Sequence, residues 1–247
     1  MVVSHPNSLP RPEQRQTDGS ALDSLSFLDL IFTVPLGDLA MRVSGAKLDR
    51  VSAADWSALA MILTVIMLSW IGMHKDRKDL AQGSKTKRDV IGEFPFFGPR
   101  FVQFVIEVVI IGLYFVMGLN LTLPTADHPS AIPLSEGSLS EVLLWIFIAY
   151  LIWDLLDVWL ARHAGNPTWQ ATAAAGGKVT FYFAIAVAVI YLIIRLAPAR
   201  PAPSIVWWNL TLIVLLYGYR VVQDKAKDKA KDKADPKARA KAGEHPA

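Results

Sequence analysis

The chain has no cysteine among its 247 residues, which excludes a disulfide frame and a thiolate metal site. It also lacks a P-loop, a Gly-rich dinucleotide motif and HExxH, and its His residues, 5 in all, are scattered. No Lys stands in the middle of an apolar block, so the attachment point of a retinal Schiff base is missing as well. Charge is sparse at 19% of residues. The first 23 residues, MVVSHPNSLPRPEQRQTDGSALD, have no apolar core of the signal-peptide kind, and membrane insertion is expected to start at the first spanning helix.

What the chain does have is apolar blocks. Hydrophobic residues make up 53% and mean hydropathy is +0.33. The apolar residues run in stretches of about 20, the length that crosses about 30 Å of hydrocarbon. The expected fold class is all-α: a polytopic membrane protein with a six-transmembrane-helix bundle and cytoplasmic N- and C-termini. The spans are expected at 24–43, 55–74, 99–122, 139–162, 178–197 and 204–222, with a flexible arm over 1–23 and a charged low-complexity tail over 223–247. Basic residues support this orientation, because Lys and Arg are retained on the inner side. All but Arg42, Lys47, Arg50, Arg195 and Arg200 of the 25 basic residues then fall inside. The first span is the weakest, since its interior carries Asp29, Pro35 and Asp38.

A charge at the bilayer centre costs about 2.5–3.5 kcal/mol or more and normally faces the bundle interior. Asp29, Glu107, Asp154 and Asp157 all fall in the inner half of the expected spans and form the candidate ion or proton site. Asp154 and Asp157, three apart, share a helical face, and two like charges so close raise the affinity of one for a proton or cation. Charge partners in the same layer are His74, Arg100, Arg162 and Arg220, with His163 and Lys178 nearby in sequence depth. Asp38 differs: it lies four residues before Arg42 and is expected to form a local pair beyond a kink at Pro35. Trp residues gather toward span ends as interface anchors, with Trp169 in a loop, and Ala184, Ala186 and Ala188 permit close packing of the fifth helix. The tail repeats Lys, Asp and Ala and stacks Asp224, Asp228 and Asp232 on one helical face, so any helix there is expected to be marginal. It reads as a solvated segment, or else as an electrostatic tether to anionic lipid.

Two motifs invite comparison with known families. DLLDVWLAR, Asp154 to Arg162, is similar to the first half of the CDP-alcohol phosphotransferase signature D-x-x-D-G-x-x-A-R. Val158 replaces the Gly, and no acid occurs between Val158 and Gln223 to supply the second metal half-site, so a lipid enzyme is disfavoured. FLDLIFT, Phe27 to Thr33, resembles the F-F-D-L-V-F motif that opens the first helix of the low temperature requirement A family. It is also similar to the F-S-D-A-V-F motif of endolysosomal-type potassium channels, which are built from six-helix units. WSALAMILTVIMLSWIGMHKDR, Trp56 to Arg77, looks like the second helix of the former family. The channel resemblance implies that helix one lines a central pore, with Phe27, Phe32, Val34 and Asp38 as pore-lining candidates and Val34 at the constriction; Asp38 departs from the apolar residue that the channels keep there.

The expected function is therefore a transporter or channel for protons or a small ion in the inner (plasma) membrane. No catalytic residue, cofactor, metal or nucleic-acid partner is expected; the partners are the lipid bilayer and further copies of the chain. The alternative is a non-transporting scaffold or accessory subunit whose buried acids form structural salt bridges.

Overall fold

The computed structural model describes residues 19–82, 99–125, 136–163, 165–196 and 202–234, and every long element among them is a helix. In chain order these are α1 (Gly19–Gly45), α2 (Ala53–Gln82), α3 (Pro99–Leu119), α4 (Glu136–His163), α5 (Pro167–Leu196) and α6 (Ala202–Ala234), with a 3-10 turn at Leu48–Arg50. Helices α2 to α6 are each long and apolar enough to cross a membrane. Helix α1 is less apolar, because Asp23, Asp29 and Asp38 interrupt it.

The helices form a ring. α6 packs against α2 and α5, α5 against α4, α4 against α3, and α3 against α1; lighter contacts from α1 and α3 to α2 close the circle. Met61 and Ile62 of α2, Tyr114 and Met117 of α3, Leu143, Ile146 and Phe147 of α4, and Val187 of α5 are completely buried at the centre. Around them, side chains such as Trp145, Leu155, Tyr182 and Val214 point outward. An apolar exterior around an apolar core suits a bundle whose surroundings are hydrocarbon.

Local sequence sets the helix starts. Ser52 and Asp55 form a capping box: the Ser52 amide donates to Asp55 Oδ2 at 3.0 Å and the Asp55 amide to Ser52 Oγ at 3.2 Å. Gly165, at φ 63°, turns the chain after α4. Asn166 then accepts the Trp169 amide on Oδ1 at 3.0 Å, and Pro167 occupies the first helical position, where its missing N–H costs nothing. Helix α5 thus starts at Pro167 rather than at 178, and Trp169 lies in its first turn, not in a loop. Helix α1 runs on past Pro35, which is buried against the bundle.

The tail departs most from expectation. α6 runs on to Ala234, so the segment 223–234 is helix where only a marginal one is expected, with Lys225, Asp228, Lys229, Lys231, Asp232 and Lys233 exposed. The same four-residue spacing that stacks the aspartates also stacks Ala226, Ala230 and Ala234, and these three are half-buried. Gln223 Nε2 lies 3.4 Å from Thr180 Oγ1, and the Lys227 stem crosses Gly176, where an added Cβ would come within 2.9 Å of Lys227 Cε. This antiparallel register carries the alanine stripe along the Ala- and Gly-rich start of α5. Ala and Lys also rank among the better helix formers, and the tertiary contact outweighs the like-charge stacking.

Candidate functional site

Below the apolar centre, five helices contribute polar side chains to one buried run. Tyr150 of α4 is its hub: its hydroxyl bonds to Ser69 Oγ of α2 and lies 2.5 Å from the Tyr114 hydroxyl of α3. The Tyr150 ring stacks on Tyr219 of α6 at 6.5 Å. The Tyr219 hydroxyl is 3.1 Å from Thr180 Oγ1 of α5 and accepts from Gln223 Nε2 at 2.9 Å. Arg220 Nη1 donates to Gln223 Oε1 at 3.2 Å, and Nη2 lies 3.4 Å from Asp224 Oδ1. Lys75 of α2 closes the run, 3.1 Å from Asp224 Oδ2. Hydrogen bonds join these groups in two sets, Ser69–Tyr150–Tyr114 and Thr180–Tyr219–Gln223, which meet through the stacked Tyr150 and Tyr219 rings.

Asp154 lies one turn beyond Tyr150 on the same face of α4 and is 6% exposed. Its Cβ packs against Gly177 of α5, at 3.6 Å from where a Cβ there would stand. The Asp154 carboxylate and the Arg220 guanidinium both lie close enough to the Tyr150 and Tyr219 phenols to act on them electrostatically. Gly72 of α2 makes room for the guanidinium: a Cβ there would meet Arg220 Nη1 at 2.8 Å. An arginine with 12% of its side chain exposed is thereby held between α2 and α6.

The other expected site residues fall in different places. Asp157, one turn beyond Asp154, accepts the Trp169 indole N–H on Oδ1 at 3.2 Å and on Oδ2 at 3.3 Å. The two acids share a helix face yet engage different neighbours: Asp154 the tyrosine run, Asp157 the start of α5. Glu107 is half-buried and continues the inward stripe of Gln103, Ile110 and Tyr114 on α3, about two turns from Tyr114. Arg162, expected as a charge partner, is exposed, as are Lys178 and His163. The His163 ring lies 4.1 Å from that of Trp159. Phe32 is buried and 6.0 Å from the Tyr114 ring, whereas Val34 is 59% exposed on the outer surface of the single chain. Asp38 pairs with Arg42 Nε at 2.7 Å, as the four-residue spacing predicts. The side chains of Phe27, Asp29, His74 and Arg100 lie outside the described residues.

Sequence reasoning followed formal charges and missed Ser69, Tyr114, Tyr150, Thr180, Tyr219 and Gln223. A usable signal was present. Tyrosines belong at span ends, where the phenol reaches water, and Tyr114 and Tyr150 stand well inside the expected spans 99–122 and 139–162. A phenol placed in an apolar interior needs a partner. Comparison with protein-family models, curated proteins and solved structures finds no match.

Proposed function

We propose that the chain is a transporter or channel of the plasma membrane, crossing it six times with both termini in the cytoplasm, and that it moves protons or a small cation through Asp154. The observation that carries this reading is Asp154, 6% exposed and one turn along α4 from Tyr150, in a bundle whose buried hydroxyls are drawn from α2, α3, α4, α5 and α6. Burying an ionisable group in a bundle is expensive, and its commonest use inside a membrane is to bind or relay an ion. Glu107, on the inward stripe of α3, extends the acidic lining. The likeness of FLDLIFT to the low temperature requirement A family belongs to the same proposal, with α1 as the sixth span and copies of the chain meeting around it.

The scaffold reading has its own support in the pairs Asp38–Arg42 and Lys75–Asp224, the second of which ties α2 to α6. Flux separates the two. In liposomes holding the purified protein, Asp154→Asn is expected to abolish ion flux, about 100-fold or more if the carboxylate is obligatory. Asp157→Asn, whose carboxylate is occupied by Trp169, is expected to keep most of it. Equal flux in wild type and Asp154→Asn, or none in wild type under any imposed gradient, would favour the scaffold.

Topology has a direct test because the chain is naturally free of cysteine. A cysteine at Leu48, 53% exposed in the turn after α1, is expected to react with a membrane-impermeant maleimide on intact cells. One at Lys229 on α6 is expected to react after lysis alone. The opposite pattern would invert the orientation, and labelling of both on intact cells would mean that an even number of crossings separates them, so that one of α2 to α6 does not span.

A further inference from the structure

Lys178 is oddly placed on α5. The helix holds no acid between Pro167 and Leu196, and Lys178 and Arg195 are its only charged residues. Lys178 lies about three turns in from the helix start and is exposed on the outward face, with Phe181, Tyr182 and Ile185 exposed just beyond it. Its amine has no ion-pair partner among the described residues. A cation so placed meets hydrocarbon unless its stem carries the amine out to the headgroups.

The packing of α5 on α6 brings a second lysine to the same depth. Gln223 Nε2 lies 3.4 Å from Thr180 Oγ1, and the Lys227 stem covers Gly176, with Cε 2.9 Å from where a Cβ would stand. Midway between these two contacts stand Lys225 on α6 and Lys178 on α5. Lys225 is exposed as well, one turn beyond Val221, which is 50% exposed. It too has no ion-pair partner among the described residues, and the adjacent Asp224 is engaged by Lys75 and Arg220. Above the two lysines the outward surface has the height of a bilayer core. About 26 Å of helix axis separates Lys178 from Arg195, and about 27 Å separates Lys225 from Trp207 at the other end of α6, against about 30 Å of hydrocarbon. Between these limits Ile185 and Val189 of α5 and Val214 and Val221 of α6 are exposed.

We infer that the outward face of α5 and α6 binds an anionic phospholipid, with the headgroup at Lys178 and Lys225 and the acyl chains along Phe181 and Val221. The face matches that ligand in both of its parts: an apolar strip of acyl length ends in two cations at one depth, and the phosphate oxygens supply the acceptors that the two amines lack. An anionic headgroup fits better than a zwitterionic one, because it brings no ammonium of its own to compete with the lysines. Tyr182, 67% exposed and one turn from Lys178 on the same face, offers its hydroxyl at the depth of the glycerol esters. This inference rests on α5 and α6 crossing a bilayer and is independent of the ion site at Asp154.

Native mass spectrometry of the full-length protein in detergent, titrated with phosphatidylglycerol or with phosphatidylcholine of the same acyl chains, reads the preference. Wild type is expected to bind the first phosphatidylglycerol at least about fivefold more tightly, each lysine near an anionic surface being worth about that factor. Lys178→Gln combined with Lys225→Gln is expected to bind the two lipids equally. Lys229→Gln combined with Lys233→Gln removes the same charge from exposed positions further along α6 and is expected to keep the preference. Inorganic phosphate at the lipid concentration is expected not to displace the lipid. No preference in wild type, a preference kept without Lys178 and Lys225, one lost without Lys229 and Lys233, or displacement by inorganic phosphate would each overturn the inference. The natural absence of cysteine permits a second reading from nitroxide labels on Tyr182→Cys, Val221→Cys and Lys229→Cys in phosphatidylglycerol vesicles. Oxygen is expected to relax the first two labels more strongly, and a water-soluble nickel chelate the third. Labels at 182 and 221 shielded from both reagents would mean that protein covers the face, and labels there open to the nickel chelate would mean that α5 and α6 do not span; either result overturns the inference. Ion flux abolished by Asp154→Asn in a protein with no lipid preference would overturn this inference alone and leave the ion site standing.

Discussion

Phe147→Ala is expected to destabilise the bundle by about 3 kcal/mol, at the low end of the 3–5 kcal/mol seen for Phe truncations in protein cores. Phe147 is completely buried, meets Tyr150 edge-on at 6.1 Å and 87°, and meets Tyr219 at 5.2 Å and 68°. Edge-to-face aromatic contacts contribute about 0.5–1.5 kcal/mol each beyond the buried area. The low end applies because a helix separated from the bundle keeps its side chains in hydrocarbon, so the water-transfer part of the cost is missing. What remains is the cavity and the lost contacts with Tyr150, Tyr219 and neighbours such as Ile146. Phe147→Leu fills most of that volume and is expected to lose less than half as much. Unfolding of the purified protein by SDS in mixed micelles, followed by tryptophan fluorescence, measures both. A loss below about 1 kcal/mol for Phe147→Ala would mean that α4 and α6 close over the gap, and that the two tyrosine rings are not held by this side chain.

The same side chain marks the boundary between what could be read from the sequence and what could not. Long apolar blocks around Ile62, Ile110, Phe147, Val187 and Leu212 announce α2 to α6, because in a bilayer the backbone must satisfy its own hydrogen bonds and a helix does so within one segment. The Asp38–Arg42 pair was legible because both partners lie on one helix at fixed spacing. The run through Ser69, Tyr114, Tyr150, Thr180, Tyr219 and Gln223 was not, since all of its links but Gln223–Tyr219 join residues on different helices. A scan for charged residues found Asp154 and Arg220 but not the Gln223 and Asp224 that the arginine meets. The α6 extension was misjudged for a different reason. Its charges suggested solvent, and the alanine stripe beneath them becomes visible only with the Ala- and Gly-rich start of α5 opposite it. Asp157 was grouped with Asp154 by helical spacing, which is sound for the helix alone. Its partner Trp169 entered the picture only once α5 began at Pro167 and turned the indole inward.

Trp169→Ala is expected to be the most damaging change outside the tyrosine run. The side chain is 4% exposed and packs with Leu160, Ala161 and Ala173, a small apolar cluster separate from the main core. Large aromatic-to-Ala truncations cost about 3–5 kcal/mol, and here the small neighbours Ala161 and Ala173 leave little side chain to refill the space. The indole N–H is also the donor shared by the two Asp157 oxygens. Trp169→Phe separates the contributions: it restores much of the packing but not the donor, and is expected to cost about 1–3 kcal/mol. Combining Trp169→Phe with Asp157→Ala tests whether that cost comes from the hydrogen bond. If it does, the double variant loses less than the sum of the singles by about 0.5–3 kcal/mol, whereas additive losses would assign the effect to packing. The damage should also travel in a defined direction. α5 carries Gly176, the seat of the Lys227 stem, so loosening its first turns removes the surface against which the far end of α6 is packed. Trypsin is then expected to cut at the lysines of 225–233 faster in Trp169→Ala than in wild type, while Phe147→Ala, acting at the bundle centre, accelerates that cleavage less. Equal acceleration by both variants would show that the far end of α6 depends on the whole bundle rather than on the α4–α5 turn.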